Sequence, residues 1–316
     1  MKEQEKLLRL RLLKKTNKSE IEGPLVGPFI LTKRRKIMLG TINWYPGHMK
    51  KTRELIQANL KLVDIVIEVV DARIPSSSRN PIIDELVKGK DRIIVLNKSD
   101  LADSVQNEKW TEKFKTDGYY VLSMNCMTGI GVKQLFKLLE KIQDEKNSER
   151  TRKKNLRIMI VGVPNVGKSS LINRLTGKKS TQTGDRPGVT KGKQWLTLKN
   201  GMQLLDTPGI LWPKFEDPKV GIDLAFCGSI KDEIIPQDEL CLELITWLQE
   251  HYTEELKQRY KLDELGEMPL DTMEAIAAKR GFIMSGKRID YERTARTVMD
   301  EFRSGAIGKI TLEVVK

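Results

Sequence analysis

One stretch of this 316-residue chain constrains its fold more than any other: Gly162-Val163-Pro164-Asn165-Val166-Gly167-Lys168-Ser169. It fits the pattern G-x-x-x-x-G-K-[ST]. An apolar run at 156–161 before it reads as a buried strand, and Leu171, Ile172 and Leu175 after it fall at helical spacing. Glycines at these positions let the backbone turn tightly, so that consecutive N–H groups and a helix N-terminus face a polyphosphate. Lys168 then reaches the terminal phosphates, Ser169 holds Mg²⁺, and Asn165, Val166, Gly167 and Ser170 complete the cradle. From average composition the bare pattern arises by chance in about one chain in a hundred of this length, so with its flanks it outweighs an ordinary Gly-rich turn.

Composition bounds the rest. No stretch approaches a membrane span, because even the most hydrophobic run, 62–70, carries Asp64 and Glu68. Cys126, Cys227 and Cys241 are scattered without metal-ligand spacing, and an odd count argues against a disulfide framework; a reducing cytoplasmic compartment is expected. The net charge of +13 favours a polyanionic partner such as RNA, or serves solubility alone. Much of that charge sits in residues 1–37, where eleven Lys and Arg face four Glu. This segment reads as a basic arm, as a mitochondrial presequence at odds with its four Glu, or as a start-site overcall with Met38 the true start. The last reading is favoured.

From residue 40 onward, strands and helices alternate. Leu55, Ile56, Leu60 and Leu62 lie near a 3.6-residue period, and strands are expected at 64–70, 92–96 and 119–122, each followed by a helical pattern. Pro81 starts one of those helices. After the phosphate loop, 178–193 is polar and basic; 194–198 and 202–205 read as strands joined at Asn200-Gly201. The second of these delivers Asp206-Thr207-Pro208-Gly209-Ile210. Alternation of this kind implies a mostly parallel α/β sheet with helices on both faces and its ligand at the strands' carboxyl ends. Residues 231–316 read as a small all-α domain. Its expected elements are one or two helices over 238–260, a helix start at Asp271 to Glu274 with a stop at Gly281, and a last helix from Asp290 to Gly305.

Four elements then resemble a GTPase set, and the resemblance implies the roles that follow. In Asn97-Lys98-x-Asp100, the carboxylate of Asp100 suits the ring N1–H and exocyclic amine of guanine, while Asn97 and the Lys98 stem orient the base. Adenine lacks that donor pair, so the wrong base leaves a charge unpaired. Asn125-Cys126 falls where a backbone amide would meet the guanine carbonyl, and Asp206 with Gly209 falls where a Mg²⁺-side carboxylate and a switch glycine are needed. The order is permuted: the guanine motif precedes the phosphate loop. The chain therefore leaves the fold just after the Asp206 switch, toward the C-terminal region.

With Trp44-Tyr45-Pro46-Gly47-His48-Met49 and Asp71-Ala72-Arg73-x-Pro75 added to these motifs, the chain resembles the ribosome biogenesis GTPase A (RbgA/YlqF) family of circularly permuted GTPases, from about Asn43 onward. Related permuted families fit less well, because their Cys/His zinc sites have no counterpart here. The resemblance implies a basic extension at 1–39, a circularly permuted P-loop GTPase domain at 40–230, and a helical RNA-binding domain at 231–316. It implies GTP hydrolysis in a late step of large (50S) ribosomal subunit assembly, stimulated by the particle, by a monomeric protein. Lys279, Arg280, Lys287, Arg288, Arg293 and Arg303 are the expected ribosomal RNA contacts. Ser169, Thr190 and Asp206 are the expected Mg²⁺ set, Thr190 from a closed loop, and Asn165 suggests a K⁺ ion beside the phosphates. Ile210 stands where Ras-like enzymes carry a water-orienting glutamine, and the resemblance points to His48 as the catalytic substitute. Two other readings stay open: a signalling or translational GTPase acting on a protein, and an RNA-binding placeholder without useful hydrolysis.

Overall fold

The computed structural model describes residues 47–177, 194–207, 209, 211 and 215–315, all within one compact unit, Ile42–Lys316. The basic segment 1–37, the question of Met38, and Thr190 and Ile210 lie outside the described residues. A first helix, α1 (Gly47–Asn59), buries Ile56 but leaves Leu62, in the 3-10 turn behind it, 45% exposed. Of the apolar stripe read from sequence, that end does not reach the core.

The strands are β1 (Ile65–Asp71), β2 (Asp91–Asn97), β3 (Tyr120–Met124), β4 (Arg157–Val161), β5 (Gln194–Thr197) and β6 (Gln203–Asp206). They form one sheet in the order β3-β2-β1-β4-β6-β5, parallel except for β5 against β6. Every residue of β1 is buried, which follows from a sheet covered on both faces and explains why its sequence shows no apolar–polar alternation. Glu68, fully buried in that strand, is held by Arg92 at 3.1 Å and Arg79 at 3.4 Å. Burial pushes its carboxyl up, and the two guanidinium groups oppose that.

The chain builds outward from β1 to β3, then returns to the other side of β1 at β4 and continues outward to β6. Such a reversal opens a crevice at the carboxyl ends of the two central strands, here β1 and β4. The register aligns the strand ends there: Asp71 lies beside Asn97, and Asn97 beside Met124. Between the strands run α2 (Pro81–Leu86), α3 (Ser104–Thr116), α4 (Val132–Ser148) and α5 (Lys168–Thr176). Asn80 caps α2 through Ile82 N, with Pro81 at its first turn as the sequence predicts. The β5–β6 hairpin turns at Asn200-Gly201, also as predicted, with Gly201 at φ +80°.

Beyond the sheet come α6 (Pro218–Phe226), α7 (Gln237–His251), α8 (Thr253–Tyr260), α9 (Pro269–Arg280) and α10 (Tyr291–Ser304). The pattern over 238–260 is two helices, because Tyr252, at φ −139° and ψ 45°, breaks the run. Asp271 does not cap α9. The helix begins two residues earlier at Pro269, and the Asp271 carboxylate reaches back to Met268 N at 3.1 Å. Gly281 and Gly305 stop α9 and α10 in the left-handed region, as expected. Between those helices the helical region adds a two-stranded ribbon, β7 (Ile283–Met284) and β8 (Arg288–Ile289). Its three-residue turn, Ser285-Gly286-Lys287, has φ of +78° at Gly286 and +56° at Lys287. Two residues per strand are too few to show a period in sequence. After α10 the chain runs back across the sheet's carboxyl edge as a strap over residues 305–315.

Candidate nucleotide site

The phosphate loop leaves β4 and enters α5 with Gly167 at φ +98°. A Cβ at Gly167 would stand 2.1 Å from Asn97 Nδ2, so this position must be glycine for the two motifs to touch. Asn97 is the junction: its Nδ2 donates to Val166 O at 2.7 Å, and its Oδ1 accepts from Cys126 N at 2.9 Å. One buried side chain thus joins the phosphate loop, the guanine motif and the Asn125-Cys126 loop. Val166 is fully buried beneath them, and Ser169 and Ser170 open the helix half-buried.

Lys168 is buried and donates to Val163 O at 2.7 Å. Burial lowers its ammonium to about 8, with the Asp206 carboxylate pulling the other way. Asp206 ends β6, and Thr207 pins that end by donating to Ile160 O at 2.6 Å. Burial pushes the Asp206 carboxyl up to about 6, opposed by Lys168 and by the Thr207 backbone N–H. Its Oδ1 is buried and has no hydrogen-bond partner among the described residues. A buried carboxylate oxygen of this kind, on a strand end that feels the phosphate-loop Lys168, has the hard oxygen chemistry that suits Mg²⁺, so Asp206 fits the ion, with the Ser169 hydroxyl as a second oxygen donor of the right type. Gly209 approaches the loop so closely that a Cβ would lie 2.9 Å from Pro164 Cα.

The guanine motif is anchored on both flanks while its reader stays open. Lys98 sits at φ +60°, and Asp100 is exposed. Ser99 donates through N and Oγ to Met124 O, and Asn107 Nδ2 donates to Ser99 O at 3.0 Å. At Asn125-Cys126 the structure refines the expectation. Asn125 N donates to Ile130 O within the loop and Cys126 N to Asn97 Oδ1 of the guanine motif, so both amides carry hydrogen bonds inside the protein. The Asn125 carboxamide oxygen in turn accepts from Met127 N and Thr128 N. Burial raises the Cys126 thiol to about 12, which makes it a packing group and not a nucleophile.

Asn165, at φ +59°, donates to Gly228 O at 2.7 Å, and Ser229 Oγ donates to Pro164 O at 2.8 Å. The phosphate loop is therefore tied to the turn after α6. His48 falls on the backbone of α1, while its side chain, like Thr190, lies outside the described residues.

Two of the expected RNA contacts are engaged in ion pairs within the protein, Arg303 half-buried and Arg280 exposed. The guanidinium of Arg303 pairs with Asp232 at 2.7 and 2.8 Å and donates to Ala225 O and Phe226 O, so it ties α10 to the end of α6. Arg280 pairs with Glu301 at 2.7 Å and covers the Tyr260 ring. Lys279, Lys287 and Arg293 are exposed, with Arg293 4.4 Å above the Phe282 ring, and Arg288 is half-buried on the ribbon.

Asp71 and Arg73 enter the sequence reading only as part of a motif, without a role, and Arg174 is not singled out there. Asp71 and Arg73 form a buried bidentate pair at 2.8 and 2.9 Å, and Lys98 Nζ joins Asp71 at 2.8 Å. Burial acts to raise Asp71, but Arg73 and Lys98 together hold its carboxyl well below the usual range. Arg73 Nη1 donates to Phe302 O and Arg303 O, the last carbonyls of α10. An acid and a base two residues apart at a strand end is the signal that was available. Arg174 grips Cys126 O at 3.1 Å and Met127 O; nothing in its helix pattern distinguished it.

A permuted P-loop sheet carrying a phosphate loop, a guanine motif and an unpartnered switch carboxylate defines the class: this is a GTPase, an enzyme that hydrolyses GTP. Residues 157–270 match a family model described as 50S ribosome-binding GTPase. A ribosome biogenesis GTPase A from Priestia megaterium is 48% identical, over 86% of this chain and 96% of its own length. The mitochondrial ribosome-associated GTPase 1 of Mus musculus is 36% identical over 85% of this chain and 89% of its own. Among solved structures, GNP-bound YlqF from T. maritima superposes with a TM-score of 0.60 at 32% identity, covering 84% of this chain and 98% of that one. The chain belongs to the ribosome biogenesis GTPase A family.

Proposed function

We propose that this GTPase is an assembly factor for the large (50S) ribosomal subunit, acting at a late step, with hydrolysis stimulated by the particle. The observation that carries this reading is the pairing of an intact GTP site with Ile210 in place of a water-orienting glutamine. An aliphatic side chain cannot orient water, so the isolated site lacks a group that a partner must help supply. The names of the relatives support the ribosome as that partner. His48 is the group we assign, brought to the attacking water when the particle engages the segment that carries it.

In the site itself, Lys168 and the amides around Gly167 hold the terminal phosphates. Ser169 and Asp206 hold Mg²⁺, joined by Thr190 when its loop closes; the ion, when bound, neutralises charge developing on the phosphate oxygens. Asn97, Lys98 and Asp100 select guanine. Asn165 is assigned to a K⁺ ion beside the phosphates. On this reading the chain divides into a GTPase region at 40–230 and a helical RNA-binding region at 231–316, working as a monomer in the cytoplasm. Lys279, Lys287, Arg288 and Arg293 meet ribosomal RNA phosphates from the ribbon and its flanking helices.

The test is GTP turnover with immature and with mature large subunits. Stimulation by the particle is expected. Turnover indifferent to ribosomal particles would instead favour a signalling or translational GTPase with a protein partner.

A further inference from the structure

The guanine-reading loop is framed on one side by residues near it in sequence and on the other by the end of the described chain. Asn97 and Ser99 secure its entry through Val166, Cys126 and Met124. Its exit is held by the strap after α10. Gly305 packs against Leu101 so closely that a Cβ there would lie 2.7 Å from Leu101 Cδ2. Ile310 N donates to Leu101 O at 3.0 Å, and Asp103 N donates to Thr311 Oγ1 at 3.1 Å across 208 residues of sequence. Thr311 is fully buried, and its backbone N–H and C=O are both bonded to the Tyr252 hydroxyl, at 3.0 and 3.1 Å. The strap is thereby fixed to the helical region at the residue that holds the loop.

The strap also grips the neighbouring strand end. Leu312 N donates to Arg73 O at 2.8 Å, and the Glu313 carboxylate accepts from Ser76 N at 2.6 Å, Ser77 N at 2.8 Å and the Ser77 hydroxyl. Trp110 Nε1 closes the frame by donating to Glu313 O at 3.0 Å. Asp100, exposed between these anchors, has its position set by Lys98 and Ser99 before it and by Leu101 and Asp103 after it.

We propose that the strap, through Thr311 and Glu313, is a positioning element for guanine recognition, holding the Asp100 loop in the geometry that reads the exocyclic amine. Among the described residues neither side chain hydrogen-bonds to the phosphate loop, so the effect falls on base choice and not on phosphate binding. The inference rests on Asp100 as the guanine acceptor. A misplaced carboxylate loses the part of affinity that depends on direction, while stacking and phosphate contacts persist.

The experiment compares binding of GDP and of inosine diphosphate, which lacks only the exocyclic amine, to the full chain carrying Thr311→Val, Glu313→Ala or Asp100→Ala. Thr311→Val keeps the buried volume and removes only the acceptor for Asp103 N. The unaltered protein should prefer GDP by about tenfold or more, the worth of a hydrogen bond to a charged group. Thr311→Val and Glu313→Ala should each reduce that preference by about threefold or more. A variant that merely lost folded protein would weaken both ligands alike and leave the ratio unchanged, and thermal unfolding of each variant monitors that loss directly. An unchanged ratio in both strap variants, with Asp100→Ala abolishing it, overturns the strap's role alone. An unchanged ratio in Asp100→Ala overturns the reading of the base motif on which it stands.

Discussion

Replacing Arg73 by Met tests whether the buried Asp71–Arg73 pair holds the helical region to the guanine motif. The guanidinium is 1% exposed, donates to both oxygens of Asp71, caps Phe302 O and Arg303 O, and lies 5.2 Å from the Phe302 ring centroid. Removing one member of a buried ion pair costs about 3–5 kcal/mol, because the other charge stays behind. Here Lys98 remains on Asp71 at 2.8 Å and Met keeps most of the packing, so the lower end applies, about 3 kcal/mol. Denaturant unfolding measures this as a shift in midpoint at constant slope. Asp71→Asn combined with Arg73→Met should cost less than the sum of the two single changes by more than about 1 kcal/mol, since the double variant leaves neither the buried carboxylate nor the buried guanidinium behind and only the partly exposed Lys98 loses its partner. The pair also imposes a pH dependence. The Asp71 carboxyl is held below its ordinary value, so its contribution is complete above the unfolded value near 3.8 and is lost as pH falls through the lower folded value. A single-variant cost below about 1 kcal/mol, or strict additivity, would refute the argument that this pair is a buried, coupled anchor.

Other outcomes follow from the same geometry. With the Asp206 carboxyl at about 6, Mg²⁺-dependent nucleotide binding should weaken about tenfold between pH 7 and pH 5, as titrations of Mg²⁺ at the two pH values would reveal. The sign for folding is opposite to that of Asp71: the folded carboxyl binds its proton more tightly than the unfolded one at 3.8, so this group's contribution to stability falls as pH rises from there to about 6. Asn97→Ala removes two buried hydrogen bonds that join three loops; about 2 kcal/mol of stability and at least about tenfold in GDP affinity should be lost, read by unfolding and by nucleotide titration. His48→Ala should abolish particle-stimulated turnover while GTP affinity stays nearly intact; equal turnover would remove His48 from the mechanism. Turnover identical in Na⁺ and K⁺ would remove the monovalent ion assigned to Asn165.

How far the site was legible in sequence depended on how locally each part is made. The phosphate loop, Asn97–Asp100 and the Asp206 strand end are each built from a few consecutive residues at the end of an apolar strand, so a one-dimensional pattern carries them. The permuted order was legible for the same reason, as a sequence of local motifs, and the sheet order β3-β2-β1-β4-β6-β5 agrees with it. Arg303 shows where pattern fails. A basic residue near a helix end reads as a phosphate contact, but its partners within the protein, Asp232, Ala225 and Phe226, lie 71 to 78 residues away, and only the tertiary fold brings them together.

The amino-acid sequence alone determined the strands, the loops that follow them and the chemistry each loop can offer, because backbone conformation and side-chain type are local properties. Tertiary structure decided how those loops are held: Asn97 as the joint of three motifs, the Asp206 Oδ1 buried with no hydrogen-bond partner among the described residues, and Thr311 and Glu313 reaching back more than 200 residues to the guanine motif and the neighbouring strand end. Buried polar groups must find partners wherever the fold places them, and those partners are chosen by proximity in space, which no short stretch of sequence records.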